Sequence, residues 1–413
     1  MSINYTPLLF LALALLCACG ESTNNDKASA LNIPELLPRP KALQSAAEWE
    51  NTQNGYSKMA AELRLEDEQA IEPRITLAKI FVNEARVTGE HGHYYPAALA
   101  MLNEALELNH AGPRNPNLEF DAMATKAGVL LSQHEFAAAL RTAKEAAAIN
   151  PYIAQVYGAI VDANVELGNY AEAIAAADKM NEIRPDLRSY SRVSYLREIH
   201  GDTEGAIEAM ERAVRAGAPG YESTAWAQLT LAGLYERYGT TEQAFETYDR
   251  ILKERPNYPF AIAAKAKLAM DAGDLERAEQ LLDEATSIIP EVGYYIQLAD
   301  LYKLQGRNEE MKATEREIMA MLQDDVDSGH RMDMEYAALY LDHFEDPSEA
   351  LRYMESEYAA RPANIDVNRM LANIYLDMGD TAKAQEHFIK ATATESKHPE
   401  VSELRQSLGL ASK

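Results

Sequence analysis

Ala139, Ala173, Ala206, Ala244, Ala278, Ala350 and Ala384 fall at intervals of 34, 33, 38, 34, 72 and 34 residues. Prolines 151, 185, 219, 256, 290 and 362 keep the same beat. A period near 34 predicts a stacked array of helix pairs, because one such unit cannot bury its apolar face alone and must lean on its neighbours. The period also bounds function. Arrays of this kind present a long groove to other proteins and seldom carry catalytic machinery.

Residues 225–258 show how one unit works. Leu231, Ala232, Leu234 and Tyr235 lie at helical spacing, and the first helix is expected to end at Gly239, which can take the left-handed conformation cheaply. Ala244, Tyr248 and Ile251 line the second helix. There Ala244 keeps the two helices close, where a larger side chain would push them apart. Pro256 cannot continue a helix and resets the chain for the next unit. The turn glycine recurs as Gly168, Gly201, Gly239, Gly273, Gly306 and Gly379, and Glu345 takes its place in a degenerate unit at 331–364.

The pattern resembles the tetratricopeptide repeat. Matching residues include Leu298-Ala299 with Tyr302 and Gly306, and Leu371-Ala372 with Tyr375, Gly379, Ala384, Phe388 and Ala391. The resemblance implies an all-α fold: a right-handed α-solenoid of about nine hairpins with capping helices at both ends. The expected units are 71–113, 120–153, 154–186, 187–220, 225–258, 259–291, 292–325, 331–364 and 365–398. In the first, a long loop at 85–95 separates Leu77-Ala78 and Phe81 from Ala98, Leu102 and Ala105. Trp49, Tyr56, Met59 and Leu63 suggest an opening helix within 45–70, and Val401, Leu404 and Leu408 a closing one within 399–413.

The first 18 residues carry no charged side chain, and their apolar run from Leu8 to Leu16 is too short to span a bilayer. It reads as a secretory signal. Leu16-Cys17-Ala18-Cys19 resembles a bacterial lipobox, which implies cleavage after residue 18 and lipidation of Cys19. Cys17 and Cys19 are the only cysteines, so a single one at a new N-terminus is better explained by an anchor than by a disulfide. Met1 to Thr6, however, lack the Lys or Arg of such signals, and an uncleaved apolar signal with two incidental thiols is the alternative. Gly20 stands where an inner-membrane lipoprotein would carry Asp, which favours the outer membrane by resemblance. Residues 19–44, with prolines at 34, 38 and 40, read as a flexible tether.

A net charge of −26 argues against nucleic acid and against direct adhesion to anionic lipid, both of which need clustered Lys and Arg. Any membrane contact is then expected through the lipid anchor. Most of the acid reads as a solvated outer face. In this family the first helix of each pair lines the concave surface, and the resemblance places Arg188, Arg192, Tyr195, Trp226, Arg237, Phe260, Lys267, Gln297 and Lys303 there. A basic and aromatic stripe of that kind suits a protein or peptide partner, an acidic one above all. The alternative is that Trp226 and Phe260 only seal unit interfaces while the basic residues pair with neighbouring acids. Relatives that clamp a peptide C-terminus carry Lys and Asn where this chain has Ala124, Gly128 and Ala159, so Arg188 and Arg192 make at best half a clamp and that specificity is not assigned.

Chemical signals are sparse. His91 and His93, with Glu90, read as exposed loop residues in place of a zinc or copper site, since no third and fourth ligand is evident. Asp324-Asp325-Val326-Asp327 lacks the spacing of a calcium loop and reads as a charged linker. No nucleophile elbow, phosphate loop or cofactor fingerprint occurs, so neither an enzyme nor a cofactor is expected. The leading expectation is a membrane-tethered scaffold in envelope assembly or trafficking. Ligand or glycan capture for nutrient uptake is the alternative.

Overall fold

Among the described residues, nine helical hairpins follow one another, between an opening helix and a closing one. A computed structural model describes residues 32–65, 67 and 69–410; the signal segment and Cys19 lie outside the described residues. From Pro34 onward the chain forms one compact unit. Its opening helix is α1 (Ala46–Leu65). The hairpins are α2 (Ile71–Thr88) with α3 (His91–Ala111), α4 (Pro116–Ser132) with α5 (Phe136–Ile149), and α6 (Ala154–Glu166) with α7 (Tyr170–Ile183). Next come α8 (Leu187–Ile199) with α9 (Thr203–Ala216), α10 (Glu222–Tyr238) with α11 (Thr241–Glu254), and α12 (Pro259–Asp271) with α13 (Leu275–Ile288). The last three are α14 (Val292–Gln305) with α15 (Asn308–Asp327), α16 (Asp333–Asp342) with α17 (Pro347–Ala360), and α18 (Ile365–Asp377) with α19 (Thr381–Ala391). Helix α20 (Pro399–Ser407) closes the array, burying Val401, Leu404 and Leu408 against Phe388. No strand occurs among the described residues.

The period has a packing cause. All seven of its alanines are fully buried, each where a methyl group fills the space between the helices of its hairpin. Gly168, Gly201, Gly273, Gly306 and Gly379 have φ between 71° and 78°, the left-handed conformation that ends a helix within one residue. Two hairpins use other residues there: His134 at φ 61° and Glu345 at φ 52°. Aspartates 202, 274, 346 and 380 then cap the second helices by accepting backbone N–H bonds.

Several expectations need correction. Gly239 is not left-handed, with φ −109° and ψ −134°. Its hydrogen serves space instead: a Cβ there would meet Gln243 Oε1 at 2.9 Å and Tyr235 Cα at 3.0 Å. The loop at 85–95 shrinks to Gly89 and Glu90, because Gly89 (φ 75°) closes α2 and α3 begins at His91. His91 and His93 are therefore helical. His91 stacks on Tyr95 at 5.2 Å, and burial, with His330 nearby, pushes its imidazole down to about 4. Residues 324–327 are the last turn of α15, not a linker.

The second half of the expected tether is built into the array. Arg39, fully buried, donates from Nε and Nη2 to both Glu84 oxygens at 2.7 Å and from Nη1 to Glu48 at 3.2 Å. Leu37 N–H donates to the Tyr94 hydroxyl, and Tyr56 O–H donates to the Pro34 carbonyl. Leu43 sits in the apolar core of α12–α14.

That last contact belongs to a wider feature. The ribbon of hairpins coils until its edges meet, so the turn inside each early hairpin abuts the junction between two later ones. At the α2–α3 turn, a Cβ on Gly89 would lie 3.0 Å from Glu291 Oε1. At α4–α5, His134 Nδ1 is 2.7 Å from Arg331 O, and Gln133 Nε2 donates to Ser328 O at 3.3 Å. At α6–α7, Arg361 Nη1 donates to Glu166 Oε2 at 2.5 Å, Asn364 Nδ2 to Glu166 O at 3.0 Å, and Ile365 N to the Tyr170 hydroxyl at 2.9 Å. At α8–α9, a Cβ on Gly201 would lie 2.6 Å from Glu395 O. Each turn meets the junction five to six hairpins further on, a regular seam joining residues 195 to 198 apart at its centre. The seam is partly apolar, with Ile365 entering the core of α4–α8 and Val87 that of α12–α14.

Candidate interaction groove

Successive even-numbered helices touch one another along most of the array, as α2 with α4, α4 with α6, α6 with α8, α8 with α10, α12 with α14 and α16 with α18. A coiled ribbon is shortest on its inner side, so these helices line the concave face. All nine groove candidates lie on them: Arg188, Arg192 and Tyr195 on α8, Trp226 and Arg237 on α10, Phe260 and Lys267 on α12, Gln297 and Lys303 on α14.

Most of the stripe's basic residues have acceptors. Arg192 grips Asp162 of α6 through two bonds, at 2.8 and 2.5 Å, and also reaches the Gly158 carbonyl at 3.2 Å. Arg237 pairs at 2.9 Å with Glu198 of α8, a buried acid that also accepts from the Tyr238 hydroxyl. Lys267 bonds Asp271 at 2.9 Å and faces Glu236 at 3.7 Å. Lys303 donates to the Asp342 carbonyl at 3.3 Å. Phe260 packs at the joint between two cores, edge-on to Tyr294 at 6.0 Å. The Gln297 carbonyl oxygen is buried without a hydrogen bond among the described residues. These side chains tie each inner helix to the next, and the stripe carries little net positive charge.

Arg188 differs. It is exposed, and its guanidinium makes no hydrogen bond or ion pair among the described residues. Although its surface is open, the surrounding protein desolvates the guanidinium and pushes its pKa down, and the cations Arg192, Arg86 and Arg184 add to that, against Asp186. A carboxylate would relieve both effects. Tyr195 and Trp226 are also partly exposed on the inner helices, and burial raises the Tyr195 phenol, with Asp366 and Glu166 adding to it.

Sequence reasoning missed the acids. Asp162, Glu166 and Asp366 line a cavity of about 490 Å³ where α6 faces α16–α18 across the seam, together with Glu335, Arg361 and Arg369. Arg369 is spent on Asp366 at 2.7 Å and Glu400 at 2.9 Å. Burial raises the Glu166 and Glu335 carboxyls. A spacing argument within one unit could have paired Asp162 with Arg192, one repeat away; Asp366 comes from a different coil and left no such signal. Among the described residues, no group of three or more His, Cys, Asp or Glu is arranged to hold a metal, and no helix is long and apolar enough to cross a membrane.

Comparisons with known proteins agree on the architecture. Three family models, each described as tetratricopeptide repeat, match residues 237–300 and 344–408, residues 200–259, and residues 154–187. Human IFIT1, solved as a dimer with PPP-AAAA, aligns at 13% identity over 84% of this chain and 78% of its own, with a TM-score of 0.51. The APC/C hetero-tetramer Cut9-Hcn1 aligns at 14% identity and a TM-score of 0.48, over 89% of this chain. This chain spans only 61% of that one's length. PilF of Pseudomonas aeruginosa aligns at 14% identity over 50% of this chain and 93% of its own, with a TM-score of 0.41. No curated protein matches the sequence. At such identities the likeness is one of fold. Repeat models on three stretches of the array, and a buried alanine at the same place in seven of the nine hairpins, lead to one conclusion: the chain belongs to the tetratricopeptide repeat family.

Proposed function

We propose that this protein-protein interaction scaffold is tethered to the outer membrane of a bacterial envelope by a lipid on Cys19, and that it holds an acidic segment of a protein partner in its groove during envelope assembly or trafficking. The observation that carries the groove reading is Arg188, a guanidinium without a partner among the described residues, on an inner face where Arg192 and Arg237 are neutralised. Tyr195 on the same helix and Trp226 on α10, both partly exposed, offer stacking area, the kind of residue that dominates interfaces.

Affinity capture from solubilised envelope should recover one dominant partner, and Arg188→Glu with Trp226→Ala should weaken its binding about tenfold or more. Arg192 is the wrong residue to change, since its bonds to Asp162 hold two inner helices together. Capture indifferent to the Arg188 and Trp226 changes defeats the groove assignment. The anchor is tested separately: Cys19→Ala should move the protein from the membrane fraction to the soluble fraction, and persistence in the membrane defeats it.

A further inference from the structure

The seam shows that the two edges of this ribbon fit each other, and on each edge only part of the length is used. Turns of the first four hairpins are covered by later junctions. In the later hairpins, by contrast, a Cβ placed on Gly273, Gly306 or Gly379 would have no described atom within 4 Å. The junctions behave in the opposite order. Those from 255 onward are met by turns or by residues 42–48, through Asn257 with Ala42 O and Arg255 with Glu48. Among the described residues, those at 112–115, 150–153, 184–186 and 217–221 meet none of the turns; Gly220 is held only by the neighbouring junction, through Arg255 and Glu254, and Glu222, just past it, is reached by Arg86 at 3.3 Å.

Exposure follows the same division at equivalent places in the repeat. Two residues after the junction proline, Tyr258 is 4% exposed in the covered stretch, while Tyr221 is 63% and Ile153 37% exposed in the free one. One residue before the turn, Thr88 and Gln133 are each 5% exposed where the seam covers them, while Met378 is 44% exposed where it does not. Tyr152 on the free junctions and Leu304 on the free turns are also exposed. The molecule therefore ends in two unlike apolar edges whose shapes already mate within it.

We infer that the occupant of these edges is a second copy of this chain, stacked end to end so that the free turns of one copy meet the free junctions of the next. Such a contact joins unlike surfaces, and because it continues the coil it does not close into a ring: it generates open chains. The inference is independent of what fills the groove. Like charge opposes it, each copy carrying −26, so association strengthens as salt rises from low to physiological ionic strength.

Sedimentation velocity on the full chain tests this. The wild-type protein should pass through pairs to longer species as concentration and salt rise. Tyr152→Glu with Tyr221→Glu blocks the junction edge, and Leu304→Glu with Met378→Glu blocks the turn edge. All four side chains are exposed, so unchanged thermal midpoints should confirm that both variants fold. Each variant alone should stay monomeric, and an equal mixture should stop at pairs, since each supplies the edge the other lacks. A wild-type chain that stays monomeric throughout overturns the inference. So does undiminished assembly of the variants, or a mixture that remains monomeric.

Discussion

Replacing Arg361 with Ala should destabilise the folded chain by about 3–5 kcal/mol, the range for removing one partner of a buried ion pair. Arg361 is buried and holds Glu357 of its own helix and Glu166 of α6, while its guanidinium lies over the Phe136 ring at 4.9 Å and contacts Met334. Its loss leaves Glu357, itself buried, with only the longer bond from Arg331 at 3.2 Å. Denaturant unfolding measures the loss. Hydrogen exchange locates it: the Ile365 amide, bonded to Tyr170 across the seam, should lose protection before the amides of α10–α13 do. A variant that unfolds at the wild-type midpoint would show that the seam contributes nothing to stability.

Arg39→Ala should have a similar effect, about 3–5 kcal/mol, from the opposite end of the array. Arg39 and Glu84 are both fully buried, so the truncation leaves a buried carboxylate with the Asn83 amide at 3.4 Å and no countercharge among the described residues. The arginine also stacks over Trp49 at 5.2 Å, which ties α1 to the irregular segment before it. Replacing the pair together, Arg39→Met with Glu84→Leu, should recover most of the loss, because neither charge is then stranded. If Arg39→Ala leaves the midpoint in place, residues 34–44 are the loose leash that their prolines suggest.

The hairpins were legible because each depends on residues close in sequence. A buried alanine and a turn glycine are both set by one unit, and even Glu345, standing in for glycine, has the expected positive φ. The seam was not. Gly168 and Gly201 look like Gly306 and Gly379 in the sequence, yet a Cβ on Gly168 would lie 2.5 Å from the Ala363 carbonyl carbon while Gly379 faces open space. One set has to be small for two reasons and the other for one, and nothing local distinguishes them. The groove was half legible. Helical register placed Arg188 and Arg192 on the inner face, but whether an arginine is free or spent depends on the acid opposite. Asp162 neutralises one and leaves the other alone. Arg39 was misjudged because three prolines argue for an extended segment and say nothing about what that segment lies against.

Because Glu166 finds Arg361 195 positions later, hairpin formation and seam closure are separate events in time. A ribosome adding about 5–20 residues per second delivers the second residue some 10–40 s after the first. A hairpin that folds within that interval leaves the rim destined for the seam wet and sticky until its later partner arrives. Something must shield that rim, or the newborn chain risks closing on a neighbour's late hairpins instead of its own.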